Sequence, residues 1–96
     1  MAVRFFWDRT KAITNAEKHS VTFEEEQTVF GDPFARIFAD EAHSQEEERE
    51  IIIGHSARGR LLLVCFMERE PWSVRIVSAR EATKRERKDY EEKTGE

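Results

Sequence analysis

The sequence predicts one α+β domain, residues 1–96, with two N-terminal helices, an antiparallel sheet of about four strands and a C-terminal helix. A chain of 96 residues is long enough for a single domain with a modest core. Two segments with helical spacing come first, short β-prone segments follow, and a highly charged helical segment ends the chain. Because consecutive strands with short connections usually lie side by side, we expect the helices to pack on one side of the sheet.

The first half of the chain carries two helix starts. Val3–Trp7 is a short β-prone run, after which Asp8 is placed to cap a helix that ends at about His19. A histidine suits that position because the C-terminal end of a helix dipole favours positive charge. Thr22–Glu25 fits a capping box that opens a second helix, and Gly31–Pro33 stops it.

The second half predicts a meander of strands followed by a helix. Ala57–Gly59 is a tight hairpin connection, and Glu68–Trp72 is the next turn. Ser78–Glu81 fits a second capping box, so the final helix is expected to begin there and to run to about Lys93. That helix is nearly all charge, which favours a surface position. The predicted strands are Phe34–Ala39, Glu48–Ser56, Arg60–Met67 and Ser73–Ser78.

The composition indicates a reduced, cytoplasmic protein. Hydrophobic residues make up 39% of the chain and charged residues 38%, so a core and a charged exterior are both expected. The one cysteine, Cys65, lies in an apolar run and has no partner for an internal disulfide. The longest apolar run is far short of the ~20 residues that a membrane span needs, so no membrane partner is expected.

The charge is unevenly distributed along the chain. Its net value is −4, which taken alone argues against nucleic acid as a partner. However, Glu24–Glu50 holds ten acidic and two basic residues, whereas Arg58–Tyr90 holds nine basic and five acidic ones. Because a phosphate chain responds to the local field, the basic half is able to bind RNA while the acidic half meets a basic partner. Two ordinary solvated faces are the alternative interpretation.

Several kinds of site are excluded by spacing. The three histidines, His19, His43 and His55, are not spaced as metal ligands, so we expect no metal site. The glycines are scattered singly, so we expect no glycine-rich phosphate-binding loop and no cofactor. Cys65 is a poor nucleophile candidate because an apolar strand raises the pKa of a thiol. Acid–base and electrostatic catalysis remain as the enzymatic options.

Arginines are the strongest candidates for such chemistry. Period-two alternation puts Arg49 and His55 on the same face of their strand. The other arginines come from three further elements: Arg60 opens the middle strand, Arg75 lies on the last strand, and Arg80 lies in the first turn of the predicted final helix. An arginine among apolar residues is costly to bury unless it meets an anion. Two interpretations stay open: Glu48 or Glu50 forms an ion pair with Arg49 or Arg75, or the arginines converge on a phosphate.

Cutting RNA without a metal requires a base, an acid and cations. The base takes the 2′-hydroxyl proton, the acid protonates the leaving 5′-oxygen, and the cations stabilise the charge on phosphorus. Arginines supply the last function. The candidates for the first two are Glu48, His43, His55 and Tyr90, with His43 the best placed of the histidines because it lies in the polar loop before Arg49.

An ordered set of short motifs resembles the BrnT-type toxins. The set begins with Trp7-Asp8, Lys11-Ala12, Asn15, Lys18-His19, Phe23-Glu24-Glu25, Val29-Phe30 and Asp32-Pro33. It continues with Asp40, His43-Ser44, Glu47 to Arg49, Ile53-Gly54, Ser56 and Gly59-Arg60. It ends with Arg75-Ile76, Ser78-Ala79-Arg80, Ala82-Thr83, Glu86 and Tyr90-Glu91, so the resemblance covers nearly the whole chain.

The resemblance implies a RelE-like fold and a toxin of a type II toxin–antitoxin system. It implies endonucleolytic RNA cleavage that halts translation, and inhibition by a ribbon-helix-helix antitoxin of the BrnA type, through which the complex reaches DNA. Carried over to matching positions, the expected catalytic residues are His43, Glu48, Arg49, Arg60, Arg75 and Arg80. The basic half adds Arg58, Lys84 and Tyr90 as expected RNA-binding residues.

Three departures from the family pattern leave the candidate residues in place. Ser20 replaces the glycine that usually follows Lys-His, Glu26 stands where alanine is usual, and Cys65–Met67 is less polar than the usual strand end. A second function class also fits the sequence, namely a non-catalytic module whose basic face binds an acidic partner segment through arginine anchors.

Overall fold

The computed structural model describes residues 3–41 and 48–94 and contains a five-stranded sheet with helices on both faces. The strands are β1 (Arg4–Phe6), β2 (Arg36–Ala39), β3 (Glu50–His55), β4 (Leu61–Glu70) and β5 (Ser73–Glu81). The helices are α1 (Arg9–His19), α2 (Phe23–Gln27), which continues into a 3₁₀ turn (Thr28–Gly31), and α3 (Lys84–Thr94). Within the described ranges, none of these helices combines the length and apolar character needed to cross a bilayer.

The sheet is mixed and has the strand order β1-β5-β4-β3-β2. β2, β3, β4 and β5 form the expected antiparallel meander, whereas β1 pairs with β5 in parallel, with Arg4 opposite Ser73. The prediction of about four antiparallel strands was therefore one strand short. The β-prone run at Val3–Trp7 was recognised, but its partner lies about seventy positions away in the chain, so its pairing is set by tertiary contacts that the local sequence does not show.

The predicted N-caps of α1 and α2 are confirmed, although Glu25 does not complete the predicted capping box, since its carboxylate binds Arg60 and Ser56 instead. The side chain of Asp8 accepts a hydrogen bond from the N–H of Thr10 at 3.0 Å, and the hydroxyl of Thr22 accepts one from the N–H of Glu25 at 3.1 Å. α1 ends at Ser20, which adopts a left-handed conformation with φ 57° where a glycine would be free of strain.

The two faces of the sheet have different coverings. On the helical face, Phe23 and Val29 from the α2 region pack with Ile52, Val64 and neighbouring strand residues into the main core. On the other face, which we call the open face, a smaller cluster forms where Tyr90 of α3 packs on the sheet. In β3, β4 and β5 the open-face residues include Ile51, Ile53, His55, Leu61, Leu63, Cys65, Met67, Arg75, Ser78 and Arg80, and Arg49 directly precedes β3.

A bulge in β5 decides which of its residues reach the open face. Cys65 pairs with Ser78 and Phe66 pairs with Ile76, so Val77 is an extra residue without a partner in β4. The extra residue shifts the alternation of β5 by one position. As a result Ala79 is buried in the main core, and Arg80 lies on the open face opposite Leu63.

The start of the last helix differs from the sequence prediction. Residues 78–81 belong to β5, and the capping box is formed later by Thr83 and Glu86: the Glu86 N–H donates to Thr83 Oγ1 at 3.1 Å, and the Thr83 N–H donates to Glu86 Oε1 at 2.8 Å. Residues 78–81 and residues 83–86 both fit the capping-box pattern, but residues 78–81 pair with β4 and are therefore part of a strand. Arg80 is therefore a strand residue and not a residue of the helix.

Candidate functional site

An open groove lies on the open face across β3, β4 and β5. Its volume is about 400 Å³, and Ile51, Leu63 and Cys65 form an apolar floor. Its polar lining residues are His19, Asp40, Ser78, Arg49 and Arg80. We call this feature the central groove.

The structure brings two of the predicted arginines together in the central groove. Arg49 directly precedes β3, and its carbonyl accepts a hydrogen bond from the N–H of Asp40 at 2.9 Å. Arg80 comes from β5 on the far side of β4. Both arginines are half-buried on one concave surface, an arrangement that suits a bound anion of phosphate size.

Arg80 is held in position by a carboxylate of α3. Its Nη1 and Nη2 donate to the two carboxylate oxygens of Glu86 at 2.8 and 2.9 Å, and Nη1 also donates to the carbonyl of Glu81. The hydrogen bond from Arg80 lowers the pKa of Glu86 to about 2. The Nε–H of Arg80 makes no hydrogen bond to a described residue, so it is available to a ligand while Glu86 orients the guanidinium.

Arg60 lies away from the central groove. Its Nε donates to Glu25 Oε2 at 3.0 Å on the helical side of the sheet, where Ser56 Oγ donates to the same oxygen at 2.7 Å. The hydrogen bond from Arg60 is the main reason that the pKa of Glu25 is lowered. Arg60 thus satisfies a buried carboxylate, and the structure does not bring it together with Arg49 and Arg80.

The remaining predicted residues are dispersed. Arg75 is on the open face but farther along β5, opposite Met67, and does not line the central groove. Glu48 lies in a separate shallow depression among other acidic residues, and His43 lies outside the described residues. Arg58 and Lys84 are exposed, in the β3–β4 turn and at the start of α3 respectively.

Tyr90 and His55 belong to a different cluster, centred on Asp32. The Tyr90 hydroxyl donates to Asp32 Oδ2 at 3.1 Å, and its ring meets that of His55 edge to face with centroids 5.5 Å apart. Burial, followed by the contact with Asp32, raises the pKa of Tyr90. Tyr90 also lines a second groove of about 350 Å³ between α3 and β2, together with Arg36 and Phe38.

The sequence interpretation missed His19 as a member of the site. It was assigned to the end of α1, where it does lie, but it also lines the central groove. His19 further borders a shallower groove along α1 that includes Lys11 and Lys18. The signal available in the sequence was the Lys18-His19 pair among the matched motifs.

Thiol chemistry finds no support at this site. Burial, with a smaller effect from Asp40, raises the pKa of Cys65 to about 11, so the thiol is protonated at neutral pH. Among the described residues, no three His, Cys, Asp or Glu side chains lie close enough to hold a metal ion. The groove therefore offers cations, an imidazole and a carboxylate as its reactive groups.

Comparison with known proteins gives a consistent result. A family model described as "Ribonuclease toxin, BrnT, of type II toxin-antitoxin system" matches residues 7–86. A 1.1 Å crystal structure of the Brucella abortus ribonuclease toxin BrnT is similar to this fold with a TM-score of 0.66 and 21% identity. The match covers 86% of this chain and all of that one. No curated protein sequence matches the chain.

Proposed function

The chain belongs to the BrnT family of ribonuclease toxins of type II toxin–antitoxin systems, and from this we propose that it is an endoribonuclease that cuts RNA without a metal ion. The observation that carries the proposal is the meeting of Arg49 and Arg80 in the central groove. The two arginines come from either side of β4 and line one groove with an apolar floor, and the planar guanidinium group matches a phosphate bidentately.

The groove supplies what metal-free cleavage needs. Arg49 and Arg80 stabilise the charge that develops on the phosphate as the 2′-oxygen attacks phosphorus. Asp40 is the carboxylate that lines the groove, so it is one candidate base. His43, which was predicted from the sequence, is the other candidate base. The products of this reaction are an RNA end with a 2′,3′-cyclic phosphate and one with a 5′-hydroxyl.

The cellular role follows from the activity. A type II toxin is paired with a protein antitoxin. We propose that the substrate is messenger RNA in the cytoplasm, that its cleavage stops translation, and that the partner is a ribbon-helix-helix antitoxin of the BrnA type. The complex then reaches DNA through the antitoxin alone.

Cleavage by the purified protein tests the proposal. The protein freed of antitoxin is expected to degrade RNA in the presence of EDTA. Arg80→Ala should lower the rate about a hundredfold or more, because one of the two guanidinium groups on the phosphate is lost. Arg85→Ala removes an exposed charge of α3 outside the groove and is the matched control.

The outcomes are distinct. Unchanged cleavage by a folded Arg80→Ala protein would remove Arg80 from the site. Cleavage that disappears in EDTA and returns with a divalent metal would contradict the metal-free reaction.

A non-catalytic binding module is the second candidate function. Ile37 and Phe38 of the edge strand β2 have 56% and 48% of their surfaces exposed, which favours a protein contact there. Expression without the antitoxin separates the two functions. Growth arrest with loss of intact messenger RNA supports the nuclease, and normal growth at high expression supports the module.

A further inference from the structure

We propose that His19 is the catalytic acid of the central groove and donates a proton to the 5′-oxygen that leaves when RNA is cut. The proposal rests on the proposed nuclease function. Among the described residues that line the groove, His19 is the one histidine, and it shares that lining with Arg49 and Arg80. An imidazole is the side chain best suited to donate a proton near neutral pH.

The end of α1 is fixed beside Arg80. The side-chain oxygen of Asn15 accepts a hydrogen bond from the N–H of Ala79 at 3.0 Å, and its Nδ2 donates to the carbonyl of Val21 at the same distance. Asn15 is buried, and Ala79 is the residue before Arg80. The two chain segments that carry His19 and Arg80 are therefore joined by one side chain.

A second anchor holds the residue that follows His19. The N–H of Ser20 closes the helix on Ala16 at 2.9 Å, and the carbonyl of Ser20 accepts a hydrogen bond from Arg60 Nη2 at 3.0 Å. Arg60 is in turn held by the buried carboxylate of Glu25. Arg60, which does not reach the groove, thus acts as a positioning residue for the His19 segment.

The groove separates a proton donor from a proton acceptor. His19 lies at its β5 side, at the end of the helix that packs on that strand. Asp40 follows the edge strand β2 at the other side, where its Oδ2 is 3.7 Å from the sulfur of Cys65. A displacement at phosphorus needs its base and its acid on opposite sides of the phosphate, and Asp40 and His19 line opposite sides of the groove.

The proposed step balances without a further reactant. The 2′-hydroxyl loses its proton to the carboxylate of Asp40, and the 2′-oxygen forms a bond to phosphorus. The bond from phosphorus to the 5′-oxygen breaks, that oxygen keeps the electron pair, and the imidazolium of His19 gives it a proton. Arg49 and Arg80 stabilise the added charge on the two non-bridging oxygens.

Replacing the leaving oxygen by sulfur tests the role of His19. The probe is an RNA that the wild-type protein cuts at a mapped position, prepared with oxygen or with sulfur as the bridging 5′-atom at that position. A thiolate leaves without being protonated, so the sulfur RNA does not need a catalytic acid. We expect His19→Ala to cut the oxygen RNA about a hundredfold or more slowly, and the sulfur RNA at close to the wild-type rate.

The control and the contrary outcomes are clear-cut. Glu17→Gln changes an exposed residue of α1 outside the groove and should leave both rates unchanged. Equal losses on both RNAs, or no loss on either, in a folded His19→Ala protein would overturn the proposal. If the wild-type protein cuts neither RNA, in EDTA or with a divalent metal, the nuclease function itself fails instead.

Arg60→Ala tests the positioning role in the same assay, below the unfolding temperature of the variant. A misplaced His19 slows the oxygen RNA more than the sulfur RNA. A general loss of folded protein slows both equally, and that result would remove the positioning role from Arg60.

Discussion

The hydroxyl of Tyr90 donates a hydrogen bond to Oδ2 of Asp32 across 3.1 Å, and this contact fastens α3 to the turn before β2. The same oxygen accepts the N–H of His55 at 2.7 Å, and Oδ1 accepts the N–H of Phe34 at 2.9 Å. Burial alone would raise the pKa of Asp32, but these three hydrogen bonds outweigh it and lower the pKa. One carboxylate therefore joins the last helix, β3 and the β2 turn.

Removing the Tyr90 hydroxyl should loosen α3. Tyr90→Phe is expected to lower the free energy of unfolding by about 1 kcal/mol, because Asp32 loses one of its donors. Tyr90→Ala also empties part of the open-face cluster, so its cost should be about 3 kcal/mol. Denaturant unfolding gives both values, and hydrogen exchange should show faster opening in α3 than in β4. Equal stabilities of Tyr90→Phe and wild type would mean that the hydrogen bond contributes nothing.

A methyl group at Gly54 should destabilise the protein. A Cβ at this position would lie 2.9 Å from the Cβ of Ala35 and 3.0 Å from Oδ2 of Asp32, so only glycine fits here without a shift of its neighbours. Gly54→Ala is expected to cost about 1–3 kcal/mol by overpacking. Gly31→Ala, at a position with open space around it, is the comparison. A melting temperature for Gly54→Ala equal to that of Gly31→Ala would contradict this account.

Glu26 should make the protein less stable as the pH rises. Its carboxyl is fully buried and has no partner among the described residues, and burial raises its pKa to about 9. Between the ordinary carboxyl pKa and this value, the folded protein holds one proton more than the unfolded chain. The free energy of unfolding therefore falls with rising pH, by about 3 kcal/mol between pH 4.5 and pH 7.

An apolar side chain at position 26 should remove that loss. Glu26→Met is expected to stabilise the protein by a few kcal/mol at pH 7 and by much less at pH 4.5. Urea unfolding at the two pH values measures the difference. A gain that does not change with pH would show that the carboxyl is ionised, or paired, in the folded state.

The Arg60–Glu25 pair should behave as a coupled unit. Arg60→Ala leaves a buried carboxylate without its charged partner, so we expect a loss of about 3 kcal/mol. Adding Glu25→Ala to that variant should cost less than Glu25→Ala costs in the wild-type protein. A double-mutant cycle by chemical denaturation measures the coupling. Additive losses would indicate that the two side chains act independently.

Local signals in the sequence predicted the helix caps and the meander, because each depends on neighbouring residues. The caps at Asp8 and Thr22 are of this kind. The pairing of β1 with β5 depends on tertiary contact and left no local signal. At the last helix, residues 78–81 and Thr83–Glu86 fit the same capping pattern, and strand pairing with β4 decided between them.

The candidate site was predictable in its residue types more than in its geometry. Alternation within single strands placed Arg49 correctly on the face that carries the groove. It could not place Arg60, because the partner of Arg60 is Glu25, 35 positions earlier on a different element. His19 was not predicted as a site residue, because the end of α1 is a position where a histidine is favoured for the stability of the helix. The fold then places this helix end at the groove that Arg80 also lines.

The unpaired residue makes one position of β5 dispensable in a way that residue identity does not reveal. Without Val77, Ser78 would still lie opposite Cys65 and Ile76 opposite Phe66 in an unbroken ladder, so Ala79 would stay in the core and Arg80 on the open face. A one-residue deletion at Val77 is therefore expected to be tolerated, whereas deletion of Ala79 would turn Arg80 toward the apolar interior. Comparative alignments of such chains should place gaps in β5 at the bulge.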